Sequence, residues 1–288
     1  MSKPKILIQL DSDPHPSVFD AVVATDAGVD RLLQYGSVNP SNVRELVHGA
    51  IFTRGPQDLL NTAIFIGGSS VKAGEELLKH ATAAFFGPMR VSVLLDANGA
   101  NTTAAAAVLA AAKHVDLKGS TATVLGGTGP VGERAARLLA RQGAAVRVGS
   151  RALDRAQEAA GRISSQVTGA HVTAVKCSSA PETAAAIDGA QIVIAAGAAG
   201  VELMPAEVRR ACVSLQVAID LNAVPPAGIA GVEAMDKAKE RDGVVCYGAI
   251  GVGGTKMKIH RAALQQLFTN NNLILDAEEV FAIGQQLS

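Results

Sequence analysis

The possible folds of this chain are restricted above all by residues 121–151, TATVLGGTGPVGERAARLLARQGAAVRVGSR. A short apolar run leads into a glycine-rich turn, and a stretch with helical spacing then leads into a second apolar run. The turn matches the pattern G-x-G-x-x-G in the strand–turn–helix context that this pattern requires, so it predicts a dinucleotide site rather than a turn kept only for packing. The predicted pyrophosphate-binding residues are Gly127, Thr128, Gly129, Pro130, Val131 and Gly132.

The end of the second apolar run indicates which dinucleotide is bound. NAD sites usually carry an acidic residue there, which accepts hydrogen bonds from the ribose hydroxyls. This chain has Ser150 and Arg151, with Arg155 one helical turn later; a hydroxyl and guanidinium groups would bind the 2′-phosphate that a carboxylate repels. We therefore expect NADP, with two alternatives open: pairing of an arginine with Asp154, or solvated arginines. Further cofactor-binding residues are expected at or after strand ends: Ser178, Ala196, Gly197 and Asn222.

Predicted strands and helices alternate along the whole chain. The first third contains the strands KILIQL, TAIFIGG and MRVSVLLD, and six more follow the polar connection DLKGS, in TATVLG, AAVRVGS, HVTAVKC, QIVIAAG, LQVAID and VVCYGAIG. Such alternation favours parallel sheets covered by helices on both faces. We predict an α/β protein with an N-terminal α/β substrate domain (1–115) and a Rossmann-type dinucleotide-binding domain with a parallel sheet (116–261). The C-terminal helices, about 262–288, are expected to pack back on the first domain, and the last of them to begin with a capping box, Asp276 with Glu279.

Composition excludes several classes of protein. Lys+Arg and Asp+Glu balance at 26 each, so the basic face of a nucleic-acid binder is not expected. The N-terminal apolar run is too short for a signal peptide, and the longest apolar run is too short to span a bilayer. The three cysteines are far apart in sequence, so disulfides and a cysteine metal site are not expected. We expect a cytoplasmic protein whose cysteines are small buried hydrophobes.

The chain lacks the motifs of common catalytic machinery. It contains no H-E-x-x-H, no G-x-S-x-G and no tyrosine followed four residues later by lysine, and no metal site is expected. Hydride transfer between two bound organic molecules requires proximity and orientation more than a protein acid or base. Ligands of open parallel sheets bind beyond the carboxyl ends of strands, which gives these candidates in loops or helix starts: Asp20, Asp96, Asn98, Thr102 and Asn222. For each of them, a cap, a turn or a solvated charge is the competing interpretation.

Several longer motifs resemble one enzyme family. PSVFD, YGSVNPSNV, FFGPMRVSVLLDANGANTTAAAA, DLNAVPPAGIAGVEAMDK and GAIGVGGTKMKIHRA, together with GGTGPVG, are similar to the methylene-tetrahydromethanopterin dehydrogenases of one-carbon-metabolising bacteria. The resemblance implies reversible oxidation of a methylene-tetrahydropterin to its methenyl form by hydride transfer to NADP, with methylene-tetrahydrofolate as a second candidate substrate. It also implies a homo-oligomer, for which a trimer is one option, and a pterin site in the interdomain cleft. The positions that match the family's pterin site are Asp20, Asn98, Thr102 and Lys256.

The resemblance also implies catalytic roles. Loss of hydride leaves a cation spread over N–C–N of the pterin, which the carboxylate of Asp20 would stabilise. Lys256 would oppose that cation, so we expect it to bind a pterin oxygen or the acidic tail, or to orient Asp20. Three competing interpretations remain: a shikimate-type dehydrogenase, a folate dehydrogenase/cyclohydrolase and a non-catalytic NADP-binding sensor. The first two have lysine-containing pairs that we do not find here.

Overall fold

The computed structural model describes residues 3–287. In chain order the helices and strands are β1 (Ile6–Asp11), α1 (Val18–Asp26), β2 (Arg31–Tyr35), α2 (Val43–Ile51), β3 (Thr62–Gly67), α3 (Val71–Ala83), β4 (Ser92–Leu95), α4 (Ala100–Ala112), β5 (Thr121–Leu125), α5 (Pro130–Arg141), β6 (Ala145–Ser150), α6 (Leu153–Gln166), β7 (Val172–Lys176), α7 (Ala180–Ile187), β8 (Ile192–Ala195), α8 (Ala206–Ala211), β9 (Val217–Asp220), β10 (Lys237–Arg241), β11 (Val244–Tyr247), α9 (Ala249–Gln266), β12 (Ile274–Leu275) and α10 (Ala277–Gln286). Short 3₁₀ turns cover Leu59–Asn61 and Ala97–Gly99. No helix within the described residues is both long and apolar enough to cross a membrane.

The chain forms two compact units, each built on its own sheet. One unit runs from the N-terminus to Thr102 and includes the segment from Met257 onward, and the other is Thr103–Lys256. The predicted α/β class with parallel sheets is confirmed. The units divide within α4 and within α9. The predicted domain limits, 1–115 and 116–261, stay a prediction.

The first unit contains a five-stranded parallel sheet in the order β12-β4-β3-β1-β2. Every residue of β3 and β4 is buried, which explains why their sequences are continuous apolar runs. The C-terminal segment joins this sheet, because Leu275 pairs with Leu94 and Ser92 Oγ donates a hydrogen bond to the Asn270 carbonyl, 2.8 Å away. The predicted capping box of α10 is confirmed, since Asp276 N donates to Glu279 Oε2 over 3.0 Å.

The second unit contains a seven-stranded sheet in the order β10-β11-β9-β8-β5-β6-β7. All pairs are parallel except the β10–β11 hairpin. The strand order reverses between β5 and β8, and this reversal makes the carboxyl ends of those two strands the expected ligand crevice. The six strands predicted for this part of the chain are β5, β6, β7, β8, β9 and β11. Strand β10 (KAKER) was not predicted, because it is a charged and largely exposed edge strand.

Candidate functional site

The turn between β5 and α5 is packed so tightly that two of its predicted glycines have no room for a side chain. A Cβ added to Gly127 would lie 2.8 Å from the Val124 carbonyl oxygen, and one added to Gly132 would lie 2.6 Å from the Gly126 carbonyl oxygen. Gly126, which sequence reasoning did not single out, has φ +70° and would clash with Gly197 at 2.6 Å. These glycines therefore fix the shape of the turn and seat it against the end of β8.

Gly129 differs from its neighbours, because space remains in front of it. Its added Cβ would lie 3.5 Å from the nearest atom, the Gly126 carbonyl oxygen, and its backbone is extended, with φ −81° and ψ 165°. Gly129 is the N-cap of α5, and Pro130 is the first residue of that helix. Free N–H groups and the positive end of the helix dipole therefore face this open space, which suits a phosphate.

A cavity of about 440 Å³ opens over this turn, within the size range typical of small-molecule sites. It lies along the carboxyl ends of β5, β6 and β8. Eight of the predicted cofactor residues line it: Thr128, Gly129, Pro130, Ser150, Arg151, Arg155, Ala196 and Gly197. The other lining residues are Leu125, Gly126, Ala152, Cys177, Ala198, Val201 and Leu203. The turn residues Gly127, Val131 and Gly132 lie outside this lining, and Gly127 and Gly132 are packed beneath it.

The β6 end of the cavity is cationic. Arg151 and Arg155 are exposed there, and Ser150 Oγ accepts a hydrogen bond from Ala152 N, 3.3 Å away. None of the lining residues is acidic. Within the described part of the chain, Asp154 forms no ion pair with either arginine. Both guanidinium groups are therefore available to an anion in the cavity.

Two further predicted cofactor residues, Ser178 and Asn222, also lie outside the lining and form hydrogen bonds with neighbouring residues of the chain. Ser178 donates from its backbone N to Glu182 Oε2, 2.8 Å away, and its hydroxyl donates to the same oxygen. Asn222 Nδ2 donates to the Pro226 carbonyl over 3.0 Å, and its N donates to Asp220 Oδ1 over 2.9 Å. Direct contact of these two residues with a cofactor stays a prediction.

Asp220 is a carboxylate that sequence reasoning did not select. It is 1% exposed and ends β9, and its second oxygen accepts from Ile229 N over 3.0 Å. Burial raises its pKa, and hydrogen bonds from backbone N–H groups of the following loop partly oppose that rise. These hydrogen bonds hold the loop 221–229 against the end of β9.

The three cysteines are free thiols. Cys246 is buried, as predicted, while Cys177 and Cys212 are half-buried. Cys177 follows β7 and lines the cavity. Burial, followed by the negative charge of Glu182, raises the pKa of its thiol to about 11. At physiological pH the Cys177 thiol is therefore neutral and forms a weakly polar part of the cavity wall.

Two carboxylates of the first unit, one from the last residue of β1 and one from α1, lie beside the end of β3. Asp11, a residue not predicted, is 1% exposed and accepts from Asp13 N at 2.9 Å and Ser17 N at 3.2 Å. Ser17 Oγ then caps α1 by accepting from Asp20 N, 3.2 Å away. A Cβ added to Gly67 would lie 3.4 Å from Asp11 Oδ2 and 3.5 Å from Asp20 Oδ2. Both carboxylates thus lie beside the same glycine at the end of β3.

The segment after β4 contains the other predicted pterin residues of this unit, Asn98 in a 3₁₀ turn and Thr102 at the start of α4. Asn98 is exposed and has a left-handed backbone conformation, with φ 54°. Its backbone N donates to the Gly68 carbonyl over 2.7 Å. Thr102 is fully buried and its hydroxyl donates to Asp96 Oδ2, 2.6 Å away. Asp96 Oδ1 also accepts from the backbone N of Asn101 and of Thr102. Asp96 and Thr102 therefore hold the loop from within, while Asn98 is presented at its surface.

Lys256 is half-buried within α9. Among the described residues there is no group of three or more histidine, cysteine, aspartate or glutamate side chains arranged to hold a metal ion. In the second unit the candidate ligand site is the cavity over the turn between β5 and α5. In the first unit the predicted substrate residue Asp20 lies beside Asp11 at the end of β3.

Comparison with known proteins finds relatives that match essentially the whole chain. A family model described as methylene-tetrahydromethanopterin dehydrogenase, N-terminal, matches residues 18–98. The chain is 45% identical over 290 residues, covering 100% of both chains, to the bifunctional protein MdtA of Methylorubrum extorquens. It is 35% identical over 293 residues, 98% of each chain, to an NAD(P)-dependent methylenetetrahydromethanopterin dehydrogenase of the same organism. The solved structure of shikimate 5-dehydrogenase from Listeria monocytogenes aligns over 99% of this chain and 96% of its own, with a TM-score of 0.55 and 15% identity, which indicates a shared fold alone.

Proposed function

Because this chain belongs to the methylene-tetrahydromethanopterin dehydrogenase family, we propose that it catalyses the reversible oxidation of methylene-tetrahydromethanopterin to the methenyl form in one-carbon metabolism, with direct transfer of a hydride to NADP. The observation that carries the choice of NADP is the cationic end of the cavity at Ser150, Arg151 and Arg155. A 2′-phosphate, with its two negative charges, matches that lining better than a ribose hydroxyl does.

The residues of the cavity suit successive parts of a bound dinucleotide. The pyrophosphate lies over Gly129, where the structure leaves space and the N-terminus of α5 supplies N–H groups. Gly126, Ala196 and Gly197 form the wall at the crevice between β5 and β8, where the nicotinamide end is expected. When bound, NADP supplies the nicotinamide ring that accepts the hydride. The chain itself binds and orients the dinucleotide and keeps its pyrophosphate at the helix end.

On the substrate side, Asp20 is proposed to stabilise the positive charge that develops on the pterin as the hydride leaves. The location of its carboxylate beside that of Asp11, at the end of β3, supports this role. The backbone N–H of Asp20 donates to the Oγ of Ser17, the N-cap of α1. This bond fixes the backbone that carries the carboxylate, which suits electrostatic stabilisation of a developing charge. Asn98 is proposed to contact the pterin, and Thr102 to contribute through the loop that presents Asn98. Lys256 is proposed to bind a pterin oxygen or the acidic tail, or to orient Asp20.

The proposal also covers a second substrate, the assembly of the protein and its location. Methylene-tetrahydrofolate is a second candidate substrate, because its reacting N–C–N group has the same chemistry. We also propose a homo-oligomeric assembly, a cytoplasmic location and the lack of a nucleic-acid partner, as the sequence predicts.

The proposal is tested by the absorbance of reduced NADP. Purified protein is mixed with NADP and either methylene-tetrahydromethanopterin or methylene-tetrahydrofolate, and the reverse reaction is started from the methenyl form. We expect reduction of NADP with methylene-tetrahydromethanopterin. Turnover of shikimate in place of both pterins would identify a shikimate-type dehydrogenase, and NADP binding without turnover of any of these substrates would identify a sensor.

Replacement of Arg151 by alanine is expected to weaken NADP binding more than NAD binding. The loss of one charge-assisted contact with the 2′-phosphate should cost about 1.5–3 kcal/mol, or roughly ten- to a hundredfold in Kd. Titration of each nucleotide into the variant, followed by calorimetry, measures the difference. Arg141→Ala, at the exposed end of α5, is the matched control and should leave both affinities unchanged. Equal losses for NADP and NAD in the Arg151 variant would contradict a phosphate role.

A further inference from the structure

A lysine on the strand next to the arginine-bearing loop lies beside the cationic end of the cavity. Strands β6 and β7 are parallel neighbours, and Ser150 pairs with Lys176 in their register. Cys177 N donates to the Ser150 carbonyl over 2.8 Å, which continues the pairing past the end of β7. Residues in register on adjacent strands project from the same face of the sheet, with the strands about 4.8 Å apart. The extended side chain of Lys176 is long enough for its ammonium group to reach a phosphate that is bound by the Ser150 hydroxyl.

Among the described residues, that ammonium group forms an ion pair with one carboxylate. Lys176 Nζ lies 2.9 Å from Glu182 Oε1, and the other carboxylate oxygen accepts from both the N–H and the hydroxyl of Ser178. The hydrogen bond from the Ser178 hydroxyl, followed by that from Lys176, lowers the pKa of Glu182 to about 2. Glu182 is therefore ionised throughout the physiological range. The side chain of Lys176 is 49% exposed, so the ion pair is weakly held and free to rearrange.

We propose that Lys176 is a further cationic ligand of the 2′-phosphate and that Glu182 competes with the phosphate for it, so that this pair sets the preference between NADP and NAD. The inference rests on the proposed function in one respect, that the dinucleotide occupies the cavity at Ser150. A phosphate close to its dianionic form attracts Lys176 more strongly than one carboxylate does. The 2′-hydroxyl of NAD carries no charge, so with NAD the Lys176–Glu182 pair stays closed.

The pair also explains how an acidic residue is tolerated beside this site. A carboxylate near the adenosine ribose normally favours NAD and repels a 2′-phosphate. Here Lys176 neutralises Glu182, and Ser178 holds the carboxylate by two hydrogen bonds. Removal of the lysine alone therefore has two consequences for NADP: a cationic ligand is lost, and a carboxylate is left without its counter-charge.

The test compares nucleotide affinities of three variants, Lys176→Gln, Glu182→Gln and the double variant, with those of the wild type. NADP, NAD, 2′,5′-ADP and 5′-AMP are titrated by calorimetry in the absence of any pterin. Lys176→Gln should raise the Kd of NADP and of 2′,5′-ADP about five- to twentyfold and leave NAD and 5′-AMP within about twofold. Glu182→Gln keeps an oxygen that accepts from Ser178 and should lower the Kd of NADP by about two- to fivefold. Lys239→Gln, on the exposed edge strand β10 of the same sheet, is the control and should change nothing.

Two results would overturn the inference. Equal changes in the affinities for NADP and NAD would show that the pair only holds the loop after β7. An unchanged ratio of the two affinities in Lys176→Gln, in a preparation where Arg151→Ala lowers that ratio, would remove Lys176 from the phosphate site while leaving the proposed cofactor in place. Conversely, the expected shifts in a protein that turns over no pterin would support the inference and contradict the proposed reaction.

Discussion

Replacement of Gly129 by valine is expected to abolish measurable NADP binding and to leave the fold intact. The backbone of Gly129 is extended, a conformation that valine adopts readily, and the Cβ position is open, with its nearest neighbour 3.5 Å away. The added methyl groups would instead occupy the space where the pyrophosphate lies. A steric conflict of this kind, combined with lost phosphate contacts, should raise the Kd of NADP by about a hundredfold or more, or about 2.8 kcal/mol. Calorimetric titration with NADP measures the loss, and thermal unfolding confirms the fold.

Two comparisons make this result specific. Gly161→Val introduces the same side chain in α6, at an exposed position where nothing lies within 4 Å of the added Cβ, and should leave NADP affinity unchanged. Gly132→Val would clash with the Gly126 carbonyl oxygen and should destabilise the turn itself, so it reports on folding. A Gly129 variant with wild-type affinity for NADP would show that the pyrophosphate lies elsewhere.

Asp20→Asn is expected to slow hydride transfer by roughly ten- to a thousandfold, by analogy with removal of one preorganised electrostatic partner. The substitution keeps the shape of the side chain and removes the charge that would stabilise the developing pterin cation. Substrate affinity should fall less than the rate, because the methylene form has no full positive charge. Single-turnover stopped-flow measurements with saturating NADP and methylene-tetrahydromethanopterin separate the two quantities.

Asp26→Asn, at the exposed end of the same helix α1, is the control for Asp20. It removes the same charge from the same helix without touching the residues at the end of β3, so hydride transfer should continue at the wild-type rate. NADP affinity should be unchanged in both variants. If Asp20→Asn also transfers hydride at the wild-type rate, the electrostatic role is wrong and Asp96 and Lys256 become the next residues to test.

The strands that could be predicted from sequence are those whose burial produces a recognisable pattern of apolar residues. Strands such as TAIFIG and SVLL are buried along their whole length, and a continuous apolar run reports that directly. The edge strands β2 and β10 were not predicted. Their residues are largely exposed, so their pairing depends on neighbours that are distant in sequence and leaves no clear pattern.

The limits of sequence reasoning at the site have a similar cause. The pattern G-x-G-x-x-G located the turn, and the structure adds Gly126, whose φ of +70° and close approach to Gly197 reflect packing against β8. The serine and asparagine chosen as cofactor ligands at strand ends, Ser178 and Asn222, bond to Glu182, Asp220 and Pro226. A polar residue after a strand has the same sequence signature whether it binds a ligand or holds its own loop. Only the positions of its partners distinguish the two.

Direct transfer of a hydride from the methylene carbon of a tetrahydropterin to NADP is tested with a deuterium label. Methylene-tetrahydromethanopterin with both methylene hydrogens replaced by deuterium is incubated with NADP and the protein in ordinary water, and the reduced cofactor is analysed by NMR. We expect one deuterium at C4 of the nicotinamide for each methenyl-tetrahydromethanopterin formed. Reduced cofactor that carries solvent hydrogen at C4, or no reduced cofactor at all, would contradict it.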